Sequence, residues 1–185
     1  MEDRPLAATP NDILGFWKHA GPKQWYAANP KFDDAIRLKF EPVHHAAARG
    51  EYDKWAETPD GALALLILLD QFPRNLYRKS AHAFATDPKA RAIARAATDK
   101  GWHLEVEPEL RQFMLLPFEH SEDIADQDLG LALAAELDDP EVTKWMIIHR
   151  DIIVRFGRFP HRNPMLGRTT TAEEQQFLDD GGFAG

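Results

Sequence analysis

Two stretches of the chain carry the clearest hydrophobic patterns, and both predict α-helices. The residues from Leu63 to Leu69 are apolar at nearly every position, which predicts a helix that is buried on all sides. From Pro140 to Phe156, apolar residues recur with the period of a helix. No stretch alternates apolar and polar residues for long enough to predict a strand. The pattern therefore predicts an all-α protein.

Pairs of a capping residue followed by proline predict where helices begin. The side chain before the proline can accept from a free backbone N–H, and proline is well tolerated at the first helical position. Thr171 and Glu174 add the spacing of a capping box. The cap–proline pairs are Thr9-Pro10, Asn29-Pro30, Thr58-Pro59, Asp87-Pro88 and Asp139-Pro140.

These signals together predict about eight helices in one domain that spans residues 1–185. The short connections favour antiparallel neighbours, that is, a bundle or a stack of helical hairpins. Residues 1–8 and 181–185 are expected to be flexible ends. The predicted helices cover residues 10–20, 30–49, 59–71, 88–100, 108–116, 122–137, 140–157 and 172–179.

Composition and charge limit the classes of partner. The chain has 185 residues, of which 44% are hydrophobic, and a net charge of −8. Nucleic-acid affinity comes mainly from neutralising phosphates with Lys and Arg, so we expect no nucleic-acid partner. No apolar run reaches the ~20 residues that cross a bilayer, and the first residues do not resemble a signal peptide. We therefore expect a cytoplasmic protein with no membrane partner.

The helix from Pro140 to Phe156 places two polar residues among its apolar ones. With ~100° per residue, His149 shares a face with Trp145 and Ile153, and Arg150 falls within the same apolar arc. Such a histidine is more often a satisfied core residue than a catalyst. The arginine needs an anion, which is either an acid of the protein, such as Asp70, or a ligand.

Basic charge is concentrated in the second half of this region. Between Lys144 and Arg168, six Lys or Arg face one Asp, so this stretch carries +5 within an acidic chain. The guanidinium fork of arginine matches carboxylate and phosphate groups, which points to a small anionic ligand. Alternatively, these arginines pair with acids of neighbouring helices. The candidate ligand-binding residues are Arg74, Asn75, Arg78, Arg150, Arg158, His161, Arg162 and Asn163.

A smaller set of titratable residues could move protons. His120 and Glu122 share one turn between helices with Ser121, which is more simply a helix cap. Imidazole titrates near neutrality and therefore suits acid–base catalysis. Asp70 ends the apolar run and is either at the surface or buried with a cation or hydrogen-bond donors. The candidate catalytic residues are His149, His161, His120, Asp70 and Glu122.

Six segments of the chain form long and specific strings. They are 13–17, Leu69-Asp70-Gln71-Phe72-Pro73-Arg74-Asn75, 83–88, Leu116-Pro117-Phe118-Glu119-His120-Ser121-Glu122, 155–163 and 174–178. These segments resemble those of the bacterial domain-of-unknown-function family 924 (DUF924), and the resemblance spans nearly the whole chain. It implies an all-α fold of stacked antiparallel hairpins, a superhelix like that of tetratricopeptide proteins. It implies no activity, and the tetratricopeptide sequence signature is not present.

Common cofactor and metal motifs are missing from the sequence. There is no glycine-rich dinucleotide fingerprint and no phosphate-binding loop. With no cysteine there is no thiolate metal site. Glu41 and His44 have the Glu-x-x-His spacing of di-iron bundles, but such a site needs two copies of this motif and the sequence has one. We therefore predict no cofactor and no metal.

Two hypotheses about function remain. In the first, the Arg, His and Asn residues form a pocket for a small anionic ligand, with or without catalysis. In the second, the protein is an interaction module with a protein partner, and the polar motifs only fix helix packing. The sequence leaves open whether the protein is an enzyme, and it does not give the oligomeric state.

Overall fold

The computed structural model describes residues 8–185, and its secondary structure is helical, with no strand among those residues. The all-α prediction is confirmed. The predicted flexible end at residues 1–8 lies almost entirely outside the described residues. The α-helices are α1 (Pro10–Ala20), α2 (Pro22–Trp25), α3 (Pro30–Ala48), α4 (Pro59–Leu66), α5 (Phe72–Leu76), α6 (Asp87–Thr98), α7 (Trp102–Glu105), α8 (Leu116–Glu119), α9 (Ile124–Glu136), α10 (Pro140–Phe156) and α11 (Ala172–Asp179).

Local capping explains where most of these helices begin. The side chains of Thr9, Asn29, Thr58 and Asp139 accept hydrogen bonds from the first turns of α1, α3, α4 and α10. Thr171 forms the predicted capping box of α11. The prediction for Asp87 was wrong, because the N-cap residue of α6 is Thr86.

Some predicted boundaries differ from the structure. The predicted helix 59–71 continues beyond α4 as a π-helical turn over Ile67–Gln71 and then as α5. The predicted helix 108–116 is a 3₁₀ helix over Pro108–Met114 that precedes α8. Further 3₁₀ helices span Asp53–Glu57, Ala81–Phe84 and Pro160–Arg162.

The chain forms two compact units. Among the described residues, the first unit comprises 8–78 and 82–117, and the second comprises 79–81 and 118–185. The stacking of hairpins into a tetratricopeptide-like superhelix and the assignment of one domain remain predictions.

The core of the first unit is built around the apolar helix α4 and a group of aromatic rings. Trp17 and Phe72 are fully buried, with ring centroids 5.6 Å apart. Phe113 lies 5.5 Å from Trp17. Leu63 and the apolar residues that follow it in α4 are also buried, as the sequence predicts.

The second unit is organised around the hairpin of α9 and α10. Gly130 of α9 permits a close approach, since a Cβ there would lie 3.0 Å from Cβ of Phe118 and 3.4 Å from Sδ of Met146. The far end of α10 contributes Ile152 and Ile153 to a small core with Phe159. This core supports the loop that follows α10.

Candidate functional site

In the first unit, two of the predicted binding residues surround one buried acid. Arg78 Nε donates to Asp33 Oδ2 over 2.6 Å, and its Nη2 donates to Oδ1 over 3.0 Å. Asn75 Nδ2 also donates to Oδ1, over 2.8 Å. Arg78 and Asn75 are therefore used to satisfy Asp33 of α3.

Arg74 connects the π-helical turn to α6. Its Nη1 and Nη2 donate to the two carboxylate oxygens of Asp87, both over 3.0 Å. Asp70 is only 1% exposed, with its Oδ1 3.4 Å from Arg74 Nη1 and its Oδ2 accepting from Gln71. The sequence left open whether Asp70 is at the surface or buried. In the structure it is buried, with a cation and a hydrogen-bond donor beside it.

The π-helical turn presents carbonyl groups to side chains from other elements. His44 Nδ1 is 2.8 Å from the carbonyl oxygen of Leu68, so this ring nitrogen carries the hydrogen. Thr86 donates to the carbonyl of Leu69 in the same way. Burial lowers the pKa of His44 more than the Leu68 hydrogen bond raises it. π-Helical turns often occur at functional sites, but here these contacts explain how the turn is stabilised.

In the second unit, the loop after α10 is attached to α11 by a buried acid. Arg158 Nε donates to Glu174 Oε1 over 2.6 Å, and its Nη2 donates to Oε2 over 2.9 Å. Asn163 Nδ2 donates to the same Oε2 over 3.2 Å. The Arg158 hydrogen bonds lower the pKa of Glu174 to about 2, against the opposing effect of burial.

A second acid, Glu122, attaches the same loop to the segment before α9. Arg168 donates to both of its carboxylate oxygens, over 2.7 and 2.9 Å, and the backbone N–H of Phe159 donates over 2.8 Å. Burial raises the pKa of Glu122, but these hydrogen bonds outweigh it, so the pKa is lowered overall. Glu122 is thus an ionised anchor rather than a proton donor.

Arg150 pairs at the surface and not with a buried group. Its Nε donates to Asp128 Oδ1 over 2.6 Å, and both side chains are substantially exposed. Asp128 lies on α9, and the anion that the sequence requires for Arg150 is therefore supplied within the α9–α10 hairpin.

The remaining predicted residues form a cluster inside the second unit, which we call the histidine cluster and define as His120, His149, His161 and Arg162. His149 is 5% exposed, and its Nδ1 donates to the carbonyl of Trp145 over 2.9 Å. Its ring centroid is 6.4 Å from that of His120. The unprotonated nitrogen of neutral His149 is therefore Nε2.

Electrostatics keep His149 neutral. Its pKa is lowered to about 3, first by burial and then by the charges of His120, Arg162 and His161, although the Trp145 hydrogen bond opposes this. Glu119 Oε1 lies 3.5 Å from Nδ1, but a neutral imidazole forms no ion pair with it. Burial, the largest cause, disfavours a charge of either sign at His149, whereas His120, Arg162 and His161 disfavour a positive one.

Aromatic rings border the histidine cluster. The guanidinium of Arg162, a residue only 6% exposed, lies over the ring of Phe159 at 4.5 Å and donates to the carbonyl of His120 over 3.0 Å. Phe159 is also 5.6 Å from His149 and 5.8 Å from His161, measured between ring centroids. A cation and imidazoles against apolar walls are typical of small-molecule sites.

Comparison with known proteins places this architecture in a family. The sequence profile described as "Bacterial protein of unknown function (DUF924)" matches residues 13–182. The chain belongs to this family. It is also similar to a solved structure, the protein of unknown function ATU0120 from Agrobacterium tumefaciens, with 47% sequence identity and a TM-score of 0.90. That similarity covers 93% of this chain and 97% of the other. No curated protein matches the chain.

The structure of this family member divides the predicted site residues into four groups. His120, His149, His161 and Arg162 meet in the histidine cluster. Arg158, Asn163 and Glu122 belong to the anchoring contacts of the loop, and Arg150 to a surface ion pair. The others lie in the first unit, namely Asp70, Arg74, Asn75 and Arg78.

Sequence reasoning missed two residues that shape the second unit. Arg168 satisfies Glu122, and Phe183 packs on His149 with ring centroids 4.5 Å apart. The signal for Phe183 was available, since it is a lone aromatic residue within the segment Gly181-Gly182-Phe183-Ala184-Gly185.

Among the described residues, no His, Asp and Glu group is arranged to hold a metal ion, and no helix has the length and apolar character needed to cross a membrane.

Proposed function

We propose that the histidine cluster of the second unit binds a small anionic ligand. The observation that carries this proposal is the convergence of Arg162, His120 and His161 around the neutral, buried ring of His149. Each of the three disfavours a further positive charge at His149, and a carboxylate or phosphate group would be attracted by the same field.

Two of the neighbouring acids have arginine partners. Glu122 and Glu174 are each bound by two donors of one arginine, Arg168 and Arg158. A third carboxylate, that of Glu119, lies 3.5 Å from His149 Nδ1. We place the ligand on the side of the cluster formed by Arg162 and His161, where Phe159 supplies an apolar wall.

The alternative function, a protein-interaction module, gains support from other residues. Arg74, Arg78 and Arg158 bind acids of their own units, as expected for motifs that fix helix packing. Those residues are accordingly excluded from the proposed ligand site. Their structural role is compatible with the proposed ligand site, because the histidine cluster contains none of these three arginines.

A thermal-shift screen tests the proposed function. The probes are inorganic phosphate and a panel of phosphorylated and carboxylated metabolites, and a ligand that binds only the folded state raises the melting temperature. We expect at least one probe to stabilise the wild type. The same probe should bind His161→Gln with at least ~1.4 kcal/mol less binding free energy, which corresponds to a tenfold higher Kd.

Arg150→Ala is the matched control, because it removes a cationic side chain of the same unit outside the cluster. This variant should retain the wild-type response to the probe. If no probe shifts the wild type, or if His161→Gln responds as strongly as the wild type, the proposed site is wrong.

A further inference from the structure

One side of helix α10 is exposed over most of its length, and we call this side the α10 face. With ~100° per residue, its members fall within an arc of ~140° around the helix axis. Two of them are apolar and lie two turns apart, Ile147 at 44% and Val154 at 60% exposure. Neighbouring exposed apolar residues are one mark of an interaction surface. The α10 face consists of Glu141, Lys144, Ile147, Asp151, Val154 and Arg155.

The charges of the α10 face form a pattern that is its own complement. Lys144 and Asp151 are placed symmetrically about a point between residues 147 and 148, and Glu141 and Arg155 are placed symmetrically about residue 148. Each pair joins opposite signs. If the helix is laid antiparallel on a copy of itself, every one of these charges meets an opposite charge, whereas in a parallel alignment each would meet a like charge. The pattern thus favours an antiparallel second copy.

Within the described part of the chain, these charged groups have few partners. Asp151 forms no ion pair there, and Lys144 pairs with Glu141 of the preceding turn, with 3.3 Å between Nζ and Oε2. Arg155 Nε donates to Glu173 Oε1 over 3.0 Å, but both side chains are more than half exposed. Exposed pairs of this kind are weak because water and salt screen them. The charges of the α10 face are therefore accessible to a partner.

A groove beside the α10 face adds a matching shape. The groove has a volume of about 330 Å³ and is lined by Ala135, Asp138, Asp139, Pro140, Thr143, Lys144 and Ile147. The four lining residues that belong to α10 have the i, i+3, i+4, i+7 spacing of a hole that accepts one side chain of a facing helix. In the antiparallel arrangement, Val154 of the partner subunit reaches the level of this hole. The partner's Arg155 comes to the acidic end of the groove.

We propose that the α10 face is the interface of a homodimer, in which α10 packs antiparallel on α10 of a second copy. The twofold axis passes near residues 147 and 148, so Ile147 lies at the centre of the contact. Lys144 pairs with the partner's Asp151, and the twofold repeats this pair. The occupant is a second copy, because a surface for a foreign protein has no need to carry its own complement. This dimer does not depend on the proposed anion site.

Sedimentation equilibrium of the full chain over a concentration series tests the dimer. The wild type should rise from 21.0 kDa towards twice that mass. Lys144→Glu and Asp151→Lys should each raise the dissociation constant at least about tenfold, because each places like charges together twice. The double variant restores both pairs with reversed signs and should dimerise like the wild type. Asp179→Lys, an exposed charge reversal on α11, is the matched control and should also dimerise like the wild type.

An equimolar mixture of Lys144→Glu and Asp151→Lys separates contacts between chains from effects within one chain. Positions 144 and 151 are two turns apart, so the substituted side chains can meet only across an interface. We expect the mixture to form mixed dimers at concentrations where each variant alone is monomeric.

Three results would overturn the dimer. If the wild type stays at 21.0 kDa at every concentration, the α10 face does not bind a second copy, and another protein is its occupant. If the single variants dimerise like the wild type, the interface lies elsewhere. If the double variant and the mixture both remain monomeric, Lys144 does not face Asp151 across a twofold. Far-UV circular dichroism confirms that each variant is folded.

Discussion

Arg158 and Glu174 form a two-point ion pair in which both carboxylate oxygens accept from one guanidinium, over 2.6 and 2.9 Å. The carboxylate is buried, with Glu174 only 2% exposed. This pair holds the loop after α10 against α11, and the same loop carries His161 and Arg162. The position of the histidine cluster therefore depends on a contact that does not itself belong to it.

Replacing Glu174 by Gln should destabilise the protein by about 2 kcal/mol. The substitution keeps the shape but removes the charge that accepts from Arg158 and Asn163, and hydrogen bonds to charged groups contribute about 1.5–3 kcal/mol. Chemical denaturation measures the difference. Asp128→Asn, which weakens the exposed pair with Arg150, is the control and should cost less than about 1 kcal/mol. Equal losses in both variants would contradict the structural role of Glu174.

The stability of the protein should fall with decreasing pH because of His149. Its pKa is lowered from 6.5 to about 3 in the folded state. Between these values the unfolded chain binds a proton at His149 that the folded protein excludes. The contribution of His149 to the free energy of unfolding is therefore fully present above pH 6.5 and is lost as the pH falls. The slope reaches up to ~1.4 kcal/mol per pH unit for one such group.

His149→Asn provides the comparison for this pH dependence. An asparagine amide can still donate towards the Trp145 carbonyl but does not titrate. We expect unfolding free energies measured between pH 6.5 and 5 to decline less steeply in the variant than in the wild type. If the unfolding free energies of the wild type and the variant declined with pH at the same slope, His149 would not be held neutral in the folded protein.

Two helical glycines should respond in opposite ways to substitution by alanine. At Gly61, a Cβ would lie 2.1 Å from the carbonyl oxygen of Trp55, so Gly61→Ala should cost roughly 1–3 kcal/mol through the forced backbone shift. At Gly15 of α1, a Cβ would lie more than 4 Å from every atom outside the neighbouring residues and the backbone of the helix. Gly15→Ala should therefore stabilise the protein by up to about 1 kcal/mol through helix propensity. Thermal unfolding of both variants checks the signs. A stabilised Gly61→Ala would contradict the close packing of Asp53–Glu57 on α4.

Local signals account for the part of the fold that sequence could predict. Thr9, Asn29, Thr58 and Asp139 cap helices that begin at the next residue, because a cap needs only its own first turn. Asp87 fails this rule because its carboxylate binds Arg74, 13 residues earlier in the chain. A contact of that kind leaves no local pattern.

The π-helical turn was missed for a similar reason. The apolar run predicts a helix that ends at 71, but the chain continues through Ile67–Gln71 into α5. Carbonyls of this turn accept from His44 and Thr86, which are distant in sequence. Only the folded chain brings those donors to the turn.

The candidate site was predictable in part. Helical periodicity places His149 in the apolar arc of α10, and it is buried as expected. The partner of Arg150 was not predictable, because Asp128 is 22 residues away on another helix. The pairing of Arg158 with Glu174 was not predictable for the same reason, because the two residues are 16 positions apart in the sequence.

Imidazole NMR during titration with inorganic phosphate tests the central claim most directly. The ring ¹⁵N signals of His120 and His161 should shift along one saturating curve, while those of His44 and His45, in the first unit, should not follow it. If all histidine signals move together without saturation, or if those of His120 and His161 stay unchanged, the histidine cluster is not an anion-binding site.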